Sequence, residues 1–238
     1  MRTQDAKRKP RADKGPRVVD RDKTALIWIA QQYAIRQDHL AILLARLSPK
    51  GYAPVPKQAG RLTENRTLEI VRRWETLGFI ERGWILDGEP PWIWPSPEGL
   101  RLITKEVGEL RHYKPTASKI EHLYWINHTR LFIEGRRQDI LWTSERVLHQ
   151  SEHKRVHLPD AHAISNERLV AIEVELTVKS GARLTKILNQ FALDPEYATI
   201  WYFTRGRSTA VLTSATEAMN EPYKSKFVIY DLDMLSFP

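Results

Sequence analysis

Pro159-Asp160 is followed by Glu173-Val174-Glu175 and then by Lys179. Asp160 stands at the end of one apolar stretch, and Glu173 and Glu175 alternate along another. Such a set can bring hard oxygen donors to one point. Carboxylates arranged in this way suit Mg²⁺ or Mn²⁺, which polarises a phosphodiester and lowers the pKa of its bound water. Asp160 and Glu173 would be the metal ligands. Glu175 lies two residues further on the same strand face, and Lys179 keeps the same parity and can bring a cation to the site. The catalytic candidates are therefore Asp160, Glu173, Glu175 and Lys179. Glu-x-Glu on an amphipathic strand is by itself an ordinary solvated face, so the elements around it decide its meaning.

Those elements form an α/β pattern. Ser118 to Glu134 has helical periodicity, and Glu121 and Glu134 on it are candidates for an additional acid. Ile140–Trp142 and Val156–Ile164 read as strands, the latter interrupted at Pro159. Arg168 to Val178 is the clearest strand. Val170, Ile172, Val174, Leu176 and Val178 point one way, and Leu169, Ala171, Glu173, Glu175 and Thr177 point the other. A helix from Ser180 to Leu193, a strand at Thr199–Phe203, a helix at Thr209–Met219 and a strand at Phe227–Leu232 follow. This order, helix, three strands, helix, strand, helix, strand, is that of a restriction-endonuclease-like fold with a central mixed sheet, whose signature is PD…(D/E)xK. Glu175 stands where that signature has lysine. His149, His153 and His157 are spaced by four and could line one helix face as metal ligands, but Val156-His157-Leu158 reads as strand, so the row breaks and a structural or surface role is expected.

The first half has a different grammar. Leu26, Ile29, Ala30 and Tyr33 recur at helical spacing, with Asp22 as a cap, and a second helix runs from Asp38 to Leu47. Residues 51–62 read as a loop. Thr63 caps a third helix whose buried stripe is Thr67, Ile70, Val71, Trp74 and Leu77, closed by Gly78. Phe79–Arg82 and Pro91–Trp94 flank a turn at Asp87-Gly88, and Ser96-Pro97 opens a further helix. Three helices and a hairpin match a winged helix-turn-helix, in which the third helix enters the major groove. Asn65, Arg66, Arg72 and Arg73 are the expected contacts to double-stranded DNA. Trp92 and Trp94 are expected to pack the wing onto the body.

Composition agrees with a nucleic-acid partner. The net charge is +8, and residues 1–24 carry nine Lys/Arg against four Asp. A flexible basic arm over residues 1–21, followed by a winged helix over 22–110 and a nuclease-like domain over 111–238, is the expected organisation. Basic arms bind phosphate by releasing counterions. There is no cysteine, which excludes disulfides and thiolate metal sites. No apolar run approaches the roughly 18 residues of a membrane span, and the first residues lack the apolar core of a signal peptide. A cytoplasmic protein is expected, and a homodimer is compatible with these features.

Taken together, Ser96-Pro97-Glu98-Gly99 after the wing, His157-Leu158-Pro159-Asp160-Ala161, and the string from Ala171 to Ser180 (Ala-Ile-Glu-Val-Glu-Leu-Thr-Val-Lys-Ser) resemble the replication-relaxation family of plasmids and integrative elements. The resemblance spans residues 22–238 and implies a DNA-binding accessory protein acting in plasmid replication or DNA relaxation, beside a replication initiator or relaxase. Two other readings stand next to it: a Mg²⁺- or Mn²⁺-dependent DNA endonuclease, and a transcriptional repressor with a degenerate second domain.

Overall fold

The computed structural model describes residues 17–48, 60–137, 139–151, 157–179 and 181–237. Most of the expected basic arm, most of the 51–62 loop, His153 and Ser180 lie outside the described residues. The fold is mixed α/β, with eight α-helices and two sheets among the described residues.

The first half runs α1 (Asp20–Gln31), β1 (Ile35–Arg36), α2 (Gln37–Leu47), α3 (Glu64–Thr76), β2 (Ile80–Gly83), β3 (Trp92–Pro95) and α4 (Pro97–Val107). The three strands are antiparallel in the order β1-β3-β2. Thr63 caps α3 by accepting from the Arg66 N–H at 3.2 Å, and Ser96 caps α4 by accepting from the Gly99 N–H at 3.0 Å, as the sequence predicts. Asp22 does not cap α1. The helix begins two residues earlier, and Asp22 lies within its first turn, accepting the Val19 N–H at 3.2 Å. Trp74, Ile70, Val71, Leu26 and Ile29 form the core of this half.

The second half runs α5 (Ala117–Arg136), β4 (Leu141–Ser144), α6 (Glu145–Ser151), β5 (Ala161–Ser165), β6 (Arg168–Glu175), α7 (Gly181–Leu193), β7 (Thr199–Thr204), α8 (Arg207–Glu217) and β8 (Phe227–Asp231). Its sheet has the order β4-β5-β6-β7-β8. The first three strands are antiparallel neighbours, and β7 and β8 add in parallel. One sheet face, with Val170, Ile172, Val174, Trp201 and Phe203, packs on Ile126 and Ile133 of α5. The other, with Ala171, Ile200 and Tyr202, packs on Leu184, Leu188 and Phe191 of α7. The alternation expected along β6 is therefore the one observed.

Three boundaries differ from expectation. The short β1 carries no periodic signal of its own. The region before Ala161 holds α6, and β5 begins only after Pro159, whose ring supplies no N–H for a strand ladder. β6 ends at Glu175, short of Val178. Asn166 and Glu167 have φ of 50° and 61° between β5 and β6, a two-residue turn of the kind that matches strand twist. That turn sets the register Ala161↔Ile172.

α5 belongs to both halves. Trp92 and Trp94 of β3 are buried against its Ile120 and Leu123, so these tryptophans do pack the hairpin onto the body. Leu131 of α5 joins the first core, while Ile126 and Ile133 join the second. Asn127 Nδ2 donates to the Ala34 carbonyl at 2.8 Å, and Trp28 Nε1 donates to Glu134 at 2.9 Å.

Candidate functional site

The β5–β6 register, continued one step beyond Ala161↔Ile172, sets Asp160 across from Glu173. The Asp160 carboxylate turns to accept the Val174 N–H at 2.7 Å through Oδ2, which fixes its position at the strand edge. Its Oδ1 faces His122 Nε2 at 3.0 Å, and its backbone carbonyl accepts the Glu145 N–H at 2.8 Å. Glu173 is buried, and its Oε1 meets His157 Nε2 at 2.9 Å. Glu175 is buried as well. The Thr177 N–H and hydroxyl each donate to Glu175 Oε1 at 3.3 Å, turning the chain where β6 ends. The turn returns Lys179 onto Glu175, with which it forms an ion pair. All four catalytic candidates, with His122 and His157, line one cleft of about 840 Å³, together with Lys119, Glu121 and Arg183.

The electrostatics follow from this crowding. Burial, reinforced by the Asp160 charge, raises the Glu173 carboxyl to about 7, against the opposing pull of His157 and Lys179. The hydrogen bond to Glu173 raises His157 despite its burial. Burial lowers His122, but the Asp160 charge and hydrogen bond outweigh it, and the net shift is upward. Burial depresses Lys179, whereas Glu173 and Asp160 act to hold its charge. Tyr202, paired with Glu173 across β6 and β7, is raised well above its ordinary value by burial and then by Glu173 and Asp160.

The donor chemistry of Asp160 and Glu173 fits a hard divalent cation. Two repelling carboxylates share one cleft, and a cation between them would relieve that repulsion. Among the described residues no group of three or more His, Asp or Glu forms a ligand cluster. Mg²⁺ is commonly bound through one or two carboxylates, with water and substrate phosphate completing its shell, so two carboxylates suffice in type. His122 and His157 now occupy one oxygen of each carboxylate and would have to yield to an ion.

Some expected residues lie elsewhere. Glu134 accepts from Arg130 Nε at 2.6 Å and from Trp28, at the junction of the halves, and so is not an additional acid of the cleft. Glu121 does line the cleft. His149 faces Glu145 at 3.4 Å and His157 faces Glu173, so the two form no shared row. On α3, Asn65, Glu69, Arg72 and Thr76 form one exposed face, and Arg66 pairs with Glu69 at 2.5 Å. Arg73 turns away from that face to the buried Asp22, at 2.5 Å. Trp84, 65% exposed beyond β2, and Arg82, whose guanidinium lies 5.4 Å from the Trp84 ring, were not singled out by sequence. Neither was His122. A polar strip at the start of α5, from Ser118 to His122 around the buried Ile120, was the available signal for it.

Comparison with protein-family models, with curated proteins and with solved structures finds no match. No helix among the described residues is long and apolar enough to cross a membrane.

Proposed function

We propose that this protein binds double-stranded DNA, with a first half that is a winged helix-turn-helix and a second half that is a restriction-endonuclease-like scaffold. The element order α1-β1-α2-α3-β2-β3 supports the first assignment, and α5-β4-α6-β5-β6-α7-β7-α8-β8 around a mixed sheet, with α6 inserted between the first two strands, supports the second. The observation that carries the reading is the outer face of α3. Asn65 and Arg72 lie seven residues apart on one exposed face, flanked by Arg66. Amide and guanidinium groups so placed bond base edges or phosphates, and the exposed Trp84 would touch the sugar backbone from the wing. With the resemblance to the replication-relaxation family, the role is that of an accessory DNA-binding protein of a plasmid or integrative element, partnered by a replication initiator or relaxase in the cytoplasm.

The test is fluorescence anisotropy with duplex DNA over a salt series. Affinity should fall steeply with salt, by a slope of about 0.9 for each phosphate neutralised, and Arg72→Ala should reduce both affinity and slope. Unchanged binding in Arg72→Ala removes the assignment of α3.

A second reading, metal-dependent phosphodiester cleavage, is favoured by the convergence of Asp160, Glu173 and Glu175, with Lys179, on one cleft. Asp160 and Glu173 would hold Mg²⁺ or Mn²⁺, which supplies Lewis acidity when bound. Lys179 places positive charge beside the carboxylates, and His122 and His157 fix their orientation. Incubation of supercoiled plasmid with either metal, beside Asp160→Ala/Glu173→Ala, separates the readings. Nicking lost in the variant supports the enzyme, and no nicking with DNA binding intact leaves a binding protein.

A further inference from the structure

We propose that the cavity between the two halves receives a single unpaired nucleotide of a DNA strand whose adjoining phosphate lies in the carboxylate cleft. The proposal rests on the DNA-binding reading above. The cavity, about 350 Å³, shares Lys119, His122, Glu145 and Asp160 with the cleft, so a strand following the cleft passes its mouth. One wall is aromatic: Tyr33 and Tyr113 pack with ring centroids 4.8 Å apart. The Arg146 guanidinium lies 4.6 Å from the Tyr33 centroid and is held by the carbonyls of Ala30 and Arg111, which fixes both the cation and the ring. Tyr113 remains partly exposed and lines the cavity, where a base would stack on its ring. Ser144 also lines the cavity; it is 2% exposed, and its hydroxyl has no hydrogen-bond partner among the described residues.

An unpaired buried hydroxyl is a cost to the free protein that a bound hydrogen-bonding group removes. Tyr33 has φ of 68° just after α1, the left-handed position at which helices commonly end, and this turn carries its ring to the cavity wall. A flat ring with polar edges and an attached anion satisfies all of these features at once. The ring stacks on Tyr113, its edge meets Gln31 and, once the Ser144 side chain rotates to bring its enclosed hydroxyl to the cavity, Ser144 as well, and its phosphate meets Lys119 and His122 at the mouth. Stacking on an aromatic side chain tolerates any base, so the pocket selects an unpaired nucleotide rather than a sequence.

The test uses the full chain, anisotropy, and three probes: a short single-stranded oligodeoxynucleotide, an abasic strand of equal length, and a duplex. The base-bearing strand should bind about tenfold tighter than the abasic one. Tyr113→Ala should abolish that preference, Tyr113→Phe should keep it, and Ser144→Ala, which leaves no cavity larger than an oxygen, should weaken it. Duplex binding should be unchanged in all three. Equal affinity of the wild type for the two single strands, or a preference that survives both Tyr113→Ala and Ser144→Ala, overturns the pocket while leaving duplex binding as evidence for α3. Failure of the wild type to bind duplex and single strand alike overturns the DNA reading itself.

Discussion

Arg72 and Arg73 are neighbours in sequence with opposite structural roles, and substituting each separates them. Asp22 is 1% exposed, and its carboxylate meets Arg73 at 2.5 Å and Arg21 at 3.1 Å. Arg73→Ala leaves a buried carboxylate with one cation instead of two. Removing one partner of a buried ion pair costs about 3–5 kcal/mol. Here the loss is smaller, because Arg21 and the Val19 N–H remain and because the Arg73 side chain is 28% exposed to screening water. We expect about 1–2 kcal/mol, which for a chain of this size lowers Tm by about 2–8 °C. Asp22→Asn in the same chain removes the stranded charge, so the double variant should recover part of the loss. The assay is thermal unfolding by circular dichroism, paired with duplex binding. Arg73→Ala should unfold earlier yet bind DNA at low temperature, whereas Arg72→Ala should keep its Tm and lose affinity. An unchanged Tm in Arg73→Ala, together with a loss of binding equal to that of Arg72→Ala, would refute the division of roles.

Glu173 gives a pH signature. Its folded pKa, about 7, lies above the ordinary 4.5, so folding favours the protonated form. That contribution is complete below pH 4.5 and is lost as pH rises through 7, so Tm should fall between pH 5 and 8, and Glu173→Gln should flatten the curve. Tm rising across that interval would contradict the burial argument. Asp160→Ala leaves the Val174 N–H without its acceptor at a cost of about 1–3 kcal/mol, while Asp160→Asn keeps an acceptor and should cost less; equal Tm losses would show that the bond does not matter. Gly99→Ala would drive a Cβ to 1.9 Å from the Phe79 carbonyl. Separating α4 from the start of β2 should cost at least about 1–3 kcal/mol, measured as the denaturation midpoint in urea, and a neutral result would disprove the close approach.

The parity of β6 was legible because one face is wholly apolar and the other carries Glu173 and Glu175 between small or polar residues. The caps Thr63 and Ser96 were legible because capping is local chemistry. The carboxylate partners were not. His122 is thirty-eight residues from Asp160, and no spacing rule connects a helix surface to a strand edge. Lys179 was readable as a nearby cation, but the turn that returns it to Glu175 depends on Thr177 bonding a carboxylate, which strand parity does not reveal. Arg73 was misleading for a related reason. Helical periodicity shows which residues flank the buried stripe, but a flanking arginine reaches solvent or a buried acid according to what the neighbouring helix presents. Here α1 presents Asp22.

The joint between the halves bears on how the two surfaces can act together. A tethered pair of domains would let the α3 face and the carboxylate cleft sample many relative orientations. In this chain the first helix of the second half, α5, is built into the wall of the first half. Arg130, buried in α5, lies 4.5 Å from the Trp28 ring and 5.7 Å from the Trp142 ring, touching one aromatic residue from each half. Arg146 of α6 likewise reaches carbonyls at the end of α1 and at Arg111. Burying guanidinium groups is unfavourable unless their donors are satisfied; Arg130 donates to Glu134 within α5, whereas the Arg146 bond to the Ala30 carbonyl exists only with the halves in this arrangement. Arg146 by its bond to Ala30, and Arg130 by its contacts with both rings, therefore tie the two halves in one orientation. DNA held on α3 would have its path set relative to the cleft by the same contacts, so a substitution at Arg130 or Arg146 alters the relation between the two surfaces while leaving every residue of each surface in place.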